Sequence, residues 1–272
     1  NLKGKGQKFN WTKKRLKEYM KCAEDPIYFA EEYIKIVHVD HGLIPIKMYE
    51  YQKEITNLIT DNRRVTVVTS RQAGKTTVAA AVILHYVLFN EHKLIALLAN
   101  KGDSAREILD RIKIAYEALP KWLQQGVVEW NKGSVEFENG SKIVAAATSS
   151  SAIRGKSVSF LYIDEAAFVE NWEEFSSAVL PTISSGKTTK TLYTSTPNGL
   201  NHFHKTCSGA KEGTNGFKFV EVPWQKVPGR DAEWKQETLA AMDFDTQKFA
   251  QEYSCQFLGS SNTLIDGGKL KT

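Results

Sequence analysis

Thr69-Ser-Arg-Gln-Ala-Gly-Lys-Thr76 is the stretch of the sequence that decides the fold. It continues the short β-branched run Val65–Thr69 and is followed by the almost wholly apolar run Thr77–Phe89. A strand, a glycine-containing loop and a buried helix in this order are the context of a phosphate-binding P-loop, because loop amides and a helix N-terminus direct positive potential at phosphates. The usual pattern begins with glycine, and here Thr69 stands at that position.

Three residues of this loop have defined roles if it holds a nucleotide. We expect Lys75 to reach the β and γ phosphates, Thr76 to ligate Mg²⁺ and Gly74 to let the backbone approach the phosphates closely. The alternative is an ordinary turn that contains Gly-Lys-Thr.

A second motif is the apolar run Phe160-Leu-Tyr-Ile, which ends in the acids Asp164 and Glu165. We expect Asp164 to hold Mg²⁺ through water, and Glu165 to orient and polarise an attacking water. Successive side chains of a strand point to opposite faces, so the two carboxylates should separate and divide the metal role from the base role. Two solvated acids where a strand meets a loop are the alternative.

A third motif, Thr194-Ser-Thr-Pro-Asn198, ends another β-type run. Hydroxyls at a strand tip beside a nucleotide bond either phosphate oxygens or the acid of a neighbouring strand. Thr194, Ser195 and Thr196 could therefore sense the γ phosphate and relay its loss. A plain turn before Pro197 stays open as the alternative.

The remaining pattern predicts an α/β fold. Strands and helices alternate from Val65 onward, as in strand Leu94–Ala99 and helix Ser104–Leu119, which is typical of a parallel sheet covered on both faces. Three short strands follow within residues 127–147, and the turn Asn139-Gly140 predicts that they extend the sheet in the antiparallel sense.

The chain divides into four predicted segments. Its last part reads as two helices, roughly 231–242 and 246–257, which would form a small lid. The segments are a basic N-terminal arm (1–25), a core (26–224), the lid (225–260) and a linker (261–272).

Composition excludes some classes of protein. The longest apolar stretch of the 272 residues, Val78–Phe89, has twelve residues, well short of the roughly 20 needed to cross a bilayer. Three scattered cysteines do not make a disulfide framework and indicate a reducing compartment. The close histidine pairs, His38 with His41 and His202 with His204, are expected to be ordinary surface or loop residues.

The positive charge lies at the start of the chain. Lys and Arg number 36 against 31 Asp and Glu, which gives a formal net charge of +5. Residues 1–21 contain eight cations and one acid, a local charge of +7, so the rest of the chain sums to −2. We expect this arm to lie outside the folded core, either as a contact for nucleic acid or another polyanion or as a solvated end.

These motifs, in this form and order, closely resemble the packaging ATPase domain of the large terminase subunit of tailed bacteriophages. The resemblance covers most of the chain, from about residue 26 to 270. It implies a P-loop NTPase fold of the ASCE type, with three αβα layers, a central mainly parallel sheet and a small C-terminal helical lid. The matching stretches are Ser70-Arg-Gln-Ala-Gly-Lys-Thr-Thr77, Tyr162-Ile-Asp-Glu-Ala-Ala-Phe168, Thr194-Ser-Thr-Pro-Asn-Gly-Leu-Asn-His-Phe203, Trp130-Asn-Lys-Gly-Ser134 and Arg154-Gly155.

The resemblance also implies roles for single residues. Gln52 would read the edge of the adenine and Tyr51 would pack against it, although without the family Tyr51 is a core residue of an amphipathic helix. Arg71 matches the arginine that these ATPases place near the γ phosphate. Arg154 matches a proposed finger that reaches the neighbouring subunit's nucleotide, although a lone arginine before glycine is more often a surface residue. The implied catalytic residues are Lys75, Glu165, Arg71 and Arg154, and the implied ATP-binding residues are Tyr51, Gln52, Ser70, Arg71, Gln72, Ala73, Gly74, Lys75, Thr76 and Thr77.

The resemblance further implies a function for the whole protein. It would couple hydrolysis of ATP with Mg²⁺ to translocation of double-stranded DNA into a procapsid, as a homo-oligomeric ring, a pentamer, without membrane contact. Its partners would be the portal protein and the small terminase subunit. We expect it in the host cell cytoplasm, transiently docked on the procapsid portal, with the nuclease of the full-length protein in a C-terminal domain that this sequence does not include.

Two other functions stay open on the sequence. A superfamily 2 helicase is one, since Asp164-Glu165-Ala166 resembles its acidic motif and Thr194-Ser-Thr196 its hydroxyl motif. Such a helicase needs a second RecA-like domain with an arginine-rich motif, and only 76 residues follow Thr196. The other is an assembly switch that binds a nucleotide without hydrolysing it. The acid Glu165 in the position of a general base argues against this function.

Overall fold

The computed structural model describes residues 1–38, 40–148, 153, 155–184 and 186–259. The helices are α1 (Lys13–Glu24), α2 (Pro26–Tyr33), α3 (Glu50–Asp61), α4 (Lys75–Phe89), α5 (Gly102–Ala118), α6 (Trp172–Ser184), α7 (His202–Lys211), α8 (Ala232–Ala241) and α9 (Thr246–Glu252). The strands are β1 (Lys35–His38), β2 (Gly42–Pro45), β3 (Arg64–Thr69), β4 (Leu94–Ala99), β5 (Val127–Trp130), β6 (Ser134–Phe137), β7 (Lys142–Ala147), β8 (Phe160–Asp164), β9 (Lys190–Ser195) and β10 (Lys218–Val222). Within these ranges no helix is both long and apolar enough to span a membrane.

The central sheet has eight strands in the order β10-β3-β9-β8-β4-β7-β6-β5. From β10 to β7 all neighbouring strands are parallel, and β6 and β5 continue the sheet in the antiparallel sense. Every residue of β8 is buried, because helices cover both faces of the sheet at this strand. The predicted mainly parallel sheet and its antiparallel extension around Asn139-Gly140 are confirmed.

Two hydrophobic cores lie on the two faces of the sheet. The first core joins the sheet to α1 through α5 and contains Phe29 and Tyr116. The second core joins it to α6 and α7 and contains Phe175 and Phe203. Successive residues of β8 alternate between the two cores, as the geometry of a strand requires. The predicted three-layer αβα arrangement is therefore confirmed.

Three features of the fold differ from the prediction. β1 and β2 form a separate antiparallel hairpin, whose strands of four residues are too short to be recognised by periodicity. α7 starts at His202, because the Asn201 side chain accepts hydrogen bonds from two amides of the first turn; His202 and His204 are therefore helical and not loop residues. α9 ends at Glu252, earlier than predicted, and Cys255 soon after it has a left-handed backbone with φ 58°.

The basic arm is attached to the fold at both of its ends. Near the start, the Lys3 carbonyl accepts from the Val127 amide of β5 at 2.9 Å, and Glu138 accepts from the Gly6 amide at 2.9 Å. Further on, α1 packs into the first core through Cys22, which is fully buried. The expectation that the arm lies outside the folded core is wrong for these residues. The predicted linker, 261–272, falls outside the described residues.

Candidate nucleotide-binding site

Three sequence motifs meet at one edge of the sheet. The strands β3, β9 and β8 are neighbours, and the P-loop, the hydroxyl motif and the acid pair stand where the chain leaves them. The carboxyl ends of parallel strands share an edge, and α/β proteins bind their ligands there. The fold therefore brings together residues that are far apart in the sequence.

The P-loop connects β3 to α4. Gly74 has a left-handed backbone with φ 76°, and a Cβ atom at this position would lie 2.7 Å from the side-chain nitrogen of Gln52. Any other residue would therefore be both strained and crowded. Thr69, which replaces the usual first glycine, is the buried last residue of β3 and is not among the residues with positive φ. This explains why the loop accepts a side chain there.

Lys75 begins α4 and lies against both acids. Its Nζ is 2.6 Å from Glu165 Oε1 and 3.9 Å from Asp164 Oδ1. Burial opposes the charged ammonium, but the two carboxylates outweigh this effect and raise the pKa of Lys75 above its ordinary value. The site thus holds a cation paired with two anions.

The two acids do not point to opposite faces, contrary to the expectation from the strand pattern. Asp164 ends β8, and Glu165 after it has a left-handed backbone with φ 51° and ψ 45°. This conformation breaks the alternation of the strand, so that the Glu165 carboxylate reaches the same ammonium as that of Asp164. The metal and base roles are therefore not divided by the two faces of a strand.

Oxygen atoms of two hydroxyls contact Asp164. Its Oδ2 accepts from Thr76 Oγ1 at 3.3 Å, and its Oδ1 accepts from Thr194 Oγ1 at 2.8 Å. Carboxylate and hydroxyl oxygens are the hard ligands that Mg²⁺ prefers, so Thr76 and Asp164 fit this ion. Tyr162, which the sequence does not single out, has its hydroxyl 3.1 Å from Thr194 Oγ1, and burial raises the pKa of this phenol well above its ordinary value.

The hydroxyl motif contacts both acids directly. Thr194 bonds Asp164, while Ser195 Oγ donates to Glu165 Oε2 at 3.3 Å and accepts from the Ala167 amide at 3.2 Å. Thr194 and Ser195 are the buried last residues of β9, so a plain turn is not the arrangement here. Thr196, next in the chain, is also buried. Both acids are thus hydrogen-bonded to the end of β9.

The predicted adenine-binding pair supports the P-loop. The Tyr51 hydroxyl donates to the Ala73 carbonyl at 2.9 Å, and Gln52 Nε2 lies 3.5 Å from the same oxygen. Gln52 Oε1 accepts from the Tyr49 amide at 3.0 Å. Tyr51 belongs to the first core, and burial raises its pKa to about 12. Tyr51 is therefore a core residue, as the amphipathic pattern of its helix indicates, and it also contacts the P-loop.

A cavity of about 940 Å³ opens beside the P-loop. Its walls are the β1–β2 hairpin, the start of α3, the loop itself and the segment Val227–Trp234. Tyr51, Gln52 and Thr77 line it. Pockets for ligands the size of a nucleotide hold roughly 300–1,000 Å³, so the volume is sufficient.

Arg230 is a residue of this cavity that sequence reasoning missed. Its guanidinium donates to the carbonyls of Arg71 at 2.8 Å and Gln72 at 3.3 Å and to the hydroxyl of Ser70. It also packs on the ring of Trp234, 4.7 Å from the centroid, and burial lowers its pKa. An arginine so far along the chain from the P-loop carries no local pattern that links the two, because only the fold makes the contact.

The two arginines expected near the γ phosphate have different outcomes. Arg71 Nε donates to Glu252 Oε2 at 2.9 Å, and the Arg71 amide donates to the Glu252 carbonyl at 2.8 Å. The hydrogen bond that Arg71 donates to the Glu252 carboxylate raises the pKa of Arg71, whose side chain is 60% exposed. The structure thus pairs Arg71 with the end of α9. Arg154 lies outside the described residues.

These features define a P-loop NTPase: a P-loop stands before a buried helix, an acid pair ends a nearby strand, and hydroxyls end the strand between them. The family described as "Terminase large subunit, T4likevirus-type, N-terminal" matches residues 66–272. The chain belongs to this family, and with it to the motor ATPases that package phage DNA.

Solved structures of large terminases have the same fold. The ATPase domain from Thermus phage P74-26 is 22% identical, with a TM-score of 0.63 over 78% of this chain and 94% of that chain. The large terminase of bacteriophage HK97 is 16% identical, with a TM-score of 0.70 over 86% of this chain and 55% of that one. The large terminase of a thermophilic bacteriophage, in complex with ATP-γ-S, is 11% identical, with a TM-score of 0.62 over 78% of this chain and 53% of that one. The chain therefore spans about half the length of the last two proteins.

Proposed function

We propose that this domain binds ATP with Mg²⁺ beside the P-loop and hydrolyses it to drive the packaging of double-stranded DNA. The observation that carries the proposal is the Lys75 ammonium between the carboxylates of Asp164 and Glu165. A cation for the phosphates, an acid for the metal and an acid for the attacking water are the groups that ATP hydrolysis uses. The phage terminase solved with ATP-γ-S supports the choice of nucleotide.

Each group has a task in holding the substrate. The amides of residues 70–77 and the N-terminus of α4 would receive the phosphates, and Lys75 would reach the β and γ positions. Thr76 and Asp164 would hold Mg²⁺, which when bound neutralises charge on the phosphate oxygens. The cavity next to the loop would take the adenosine, with Tyr51 and Gln52 on its wall.

Glu165 is the proposed general base. Its carboxylate is paired with Lys75 at 2.6 Å, so the ammonium occupies it as long as the pair stays formed. When Lys75 turns to the phosphates of ATP, the carboxylate is released to orient a water and accept its proton. The water oxygen bonds the γ phosphorus as the bond to the bridging oxygen breaks, which yields ADP and phosphate.

Thr194, Ser195 and Thr196 are the proposed coupling residues. Because Thr194 bonds Asp164 and Ser195 bonds Glu165, any shift of the acids after loss of the γ phosphate would pull on β9. The proposed lid, residues 225–260, would respond as well, since Glu252 joins it to the P-loop through Arg71. These two connections support a conversion of hydrolysis into movement of the domain.

The arginines and the assembly belong to the same proposal. Arg71 would leave Glu252 for the γ phosphate of its own subunit, and Arg154 would reach the nucleotide of the neighbouring subunit. A guanidinium at the transferring phosphoryl group contributes about 10³ to 10⁵ in rate. The role of Arg154 needs a homo-oligomeric ring, which we propose to be a pentamer. Membership of the family supports binding to the portal protein and to the small terminase subunit. The protein would act on the procapsid portal in the host cytoplasm.

Phosphate release from ATP tests the proposed activity. With the purified chain we expect release that needs Mg²⁺, stops when EDTA removes the ion and returns with excess Mg²⁺, because Thr76 and Asp164 offer oxygen ligands to it. Nucleotide binding without phosphate release, even with the portal protein present, would support an assembly switch instead. ATP-dependent strand separation without packaging into procapsids would support the helicase.

Arg230→Ala should weaken binding of ATP-γ-S about tenfold, which corresponds to about 1.4 kcal/mol. The reason is that the guanidinium holds the carbonyls of Arg71 and Gln72 from the opposite wall of the cavity. Isothermal titration calorimetry measures the affinity. Lys235→Ala is the matched control, because this cation of α8 lies beside the Trp224 ring, 5.9 Å from its centroid. Equal affinities of the Arg230 variant and the wild type would remove Arg230 from the site.

A further inference from the structure

We infer that Asn198, Asn201 and His202 hold the backbone behind Glu165 in shape and are positioning residues for ATP hydrolysis. The inference rests on the proposed role of Glu165 as general base. We call residues 165–167 the catalytic turn. Asn198 is the last residue of the third sequence motif, Asn201 caps α7 and His202 is the first residue of α7, and the side chains of all three reach this turn.

All three side chains donate to carbonyls of the catalytic turn. Asn201 Nδ2 lies 2.7 Å and Asn198 Nδ2 3.2 Å from the Ala167 oxygen, and His202 Nε2 lies 2.7 Å from the Ala166 oxygen. Ala166 and Ala167 are 0% and 2% exposed, so water does not readily replace a lost donor. A buried carbonyl left without a partner costs about 1–3 kcal/mol. The three bonds are therefore constraints on the backbone of the turn.

The catalytic turn needs such constraints. Glu165 has φ 51° and ψ 45°, a region that costs a residue other than glycine about 1–3 kcal/mol and persists only where surrounding contacts impose it. This conformation brings the Glu165 carboxylate to Lys75, because continued strand geometry would turn the side chain to the other face. Three donors on the next two residues supply the restraint that the strained backbone requires.

His202 also ties the turn to a second helix. Its imidazole stacks on Trp172, the first residue of α6, with ring centroids 4.3 Å apart and planes 6° from parallel. The stack fixes the ring so that Nε2 faces the Ala166 carbonyl, which can only accept, so Nε2 carries the proton. One substitution of His202 can therefore remove the stack on Trp172, and a different one can remove the hydrogen bond to Ala166.

Asn201 allows a selective test. Its Oδ1 caps α7 by accepting from the amides of Phe203 at 3.0 Å and His204 at 3.3 Å, while its Nδ2 makes the bond to Ala167. Aspartate caps helices about as well as asparagine but has no amide to donate. Asn201→Asp therefore keeps the helix cap, removes the bond to the catalytic turn and places a carboxylate oxygen opposite the Ala167 carbonyl.

Asn215 provides a matched control beyond the other end of the same helix. Its Oδ1 accepts from the Phe217 amide at 3.0 Å, and its Nδ2 donates to the Thr206 carbonyl at 2.7 Å. Asn215→Asp thus removes the same kind of bond from a carbonyl that belongs to α7 and not to the catalytic turn. Any general effect of an added carboxylate or a lost amide donor is common to both variants.

Steady-state phosphate release by the whole chain tests the inference. Asn201→Asp should lower kcat at least tenfold, with KM and Tm close to those of Asn215→Asp, because the P-loop is left intact. His202→Gln, which keeps a donor in reach of Ala166, should retain most of the activity. His202→Phe, which keeps the stack on Trp172 and loses the donor, should lose it. A structural role alone would lower Tm and would not separate kcat from KM.

The double variant Asn201→Asp/Glu165→Gln decides how Asn201 acts. It should be no slower than Glu165→Gln alone, since the turn acts through that carboxylate. Equal kcat values for Asn201→Asp and Asn215→Asp, or a further loss in the double variant, would overturn the inference. Failure of the proposed function gives a different result: the wild-type chain itself releases no phosphate, and the inference then falls with it.

Discussion

Glu165→Gln should lower the kcat of steady-state ATP hydrolysis by about 10³-fold, while the affinity for ATP-γ-S stays close to that of the wild type. Glutamine has the size of glutamate but cannot accept the proton of the attacking water. The affinity is retained because the P-loop and Lys75 are unchanged. In addition, the Glu165 carboxylate, which lies 2.6 Å from Lys75 in this structure, no longer competes with the phosphates for the ammonium. Phosphate-release kinetics and titration calorimetry measure the two quantities.

Glu170→Gln is the control for this substitution. Glu170 lies five positions further along the same connection between β8 and α6 and is exposed, so its variant should hydrolyse ATP at the rate of the wild type. Substantial hydrolysis by the Glu165 variant would assign the base to another residue, and the role of the catalytic turn would go with it.

Lys75→Met should lower the affinity for ATP at least about 100-fold, which corresponds to about 2.7 kcal/mol, and should abolish hydrolysis. Methionine keeps most of the length of the side chain and removes the charge that the β and γ phosphates require. The carboxylates of Asp164 and Glu165 then face each other without a cation, so Tm should also fall. Calorimetry with ATP-γ-S and thermal unfolding measure both effects.

The pH dependence follows from the same ion pairs. The pKa of Lys75 is raised, so its contribution to stability is complete at neutral pH and is lost only as the pH rises beyond the ordinary lysine value of about 10.5. The deficit in Tm of the Lys75 variant should therefore be complete at neutral pH and should shrink as the pH rises past this value. Lys101→Met serves as the control, because Lys101 is exposed and follows β4, which lies beside β8 in the sheet. A Lys75 variant with unchanged ATP affinity would contradict the proposed site.

The sequence predicts those parts of the site that lie in one local stretch each. The P-loop, the acid pair and the hydroxyl motif all stand where an apolar run ends, and parallel strands bring such ends to one edge whatever their order in the sheet. The sequence therefore predicts, without knowledge of the strand order β3-β9-β8, that five residues lie at this edge: Lys75, Thr76, Asp164, Thr194 and Ser195.

The other parts depend on tertiary structure. Arg230 and Glu252 reach the P-loop from the far end of the chain, and no spacing or periodicity connects them to it. The left-handed backbone of Glu165 is imposed by neighbours such as Asn201, so the strand pattern predicts the wrong direction for its carboxylate. The hairpin β1–β2, a wall of the cavity, has no signal in the sequence because its strands of four residues are too short to show a periodicity.

The attachment of the first residues to β5 bears on how the protein behaves at high concentration. β5 is the last strand on its side of the sheet, and such an edge offers unpaired backbone groups to which a second molecule can add. The Lys3 carbonyl and the bridge between Gly4 and Val127 occupy part of this row with the chain's own backbone. Lys3 and Gly4 thus leave fewer free backbone groups on this edge, and we expect their removal to promote edge-to-edge aggregation of the sheet.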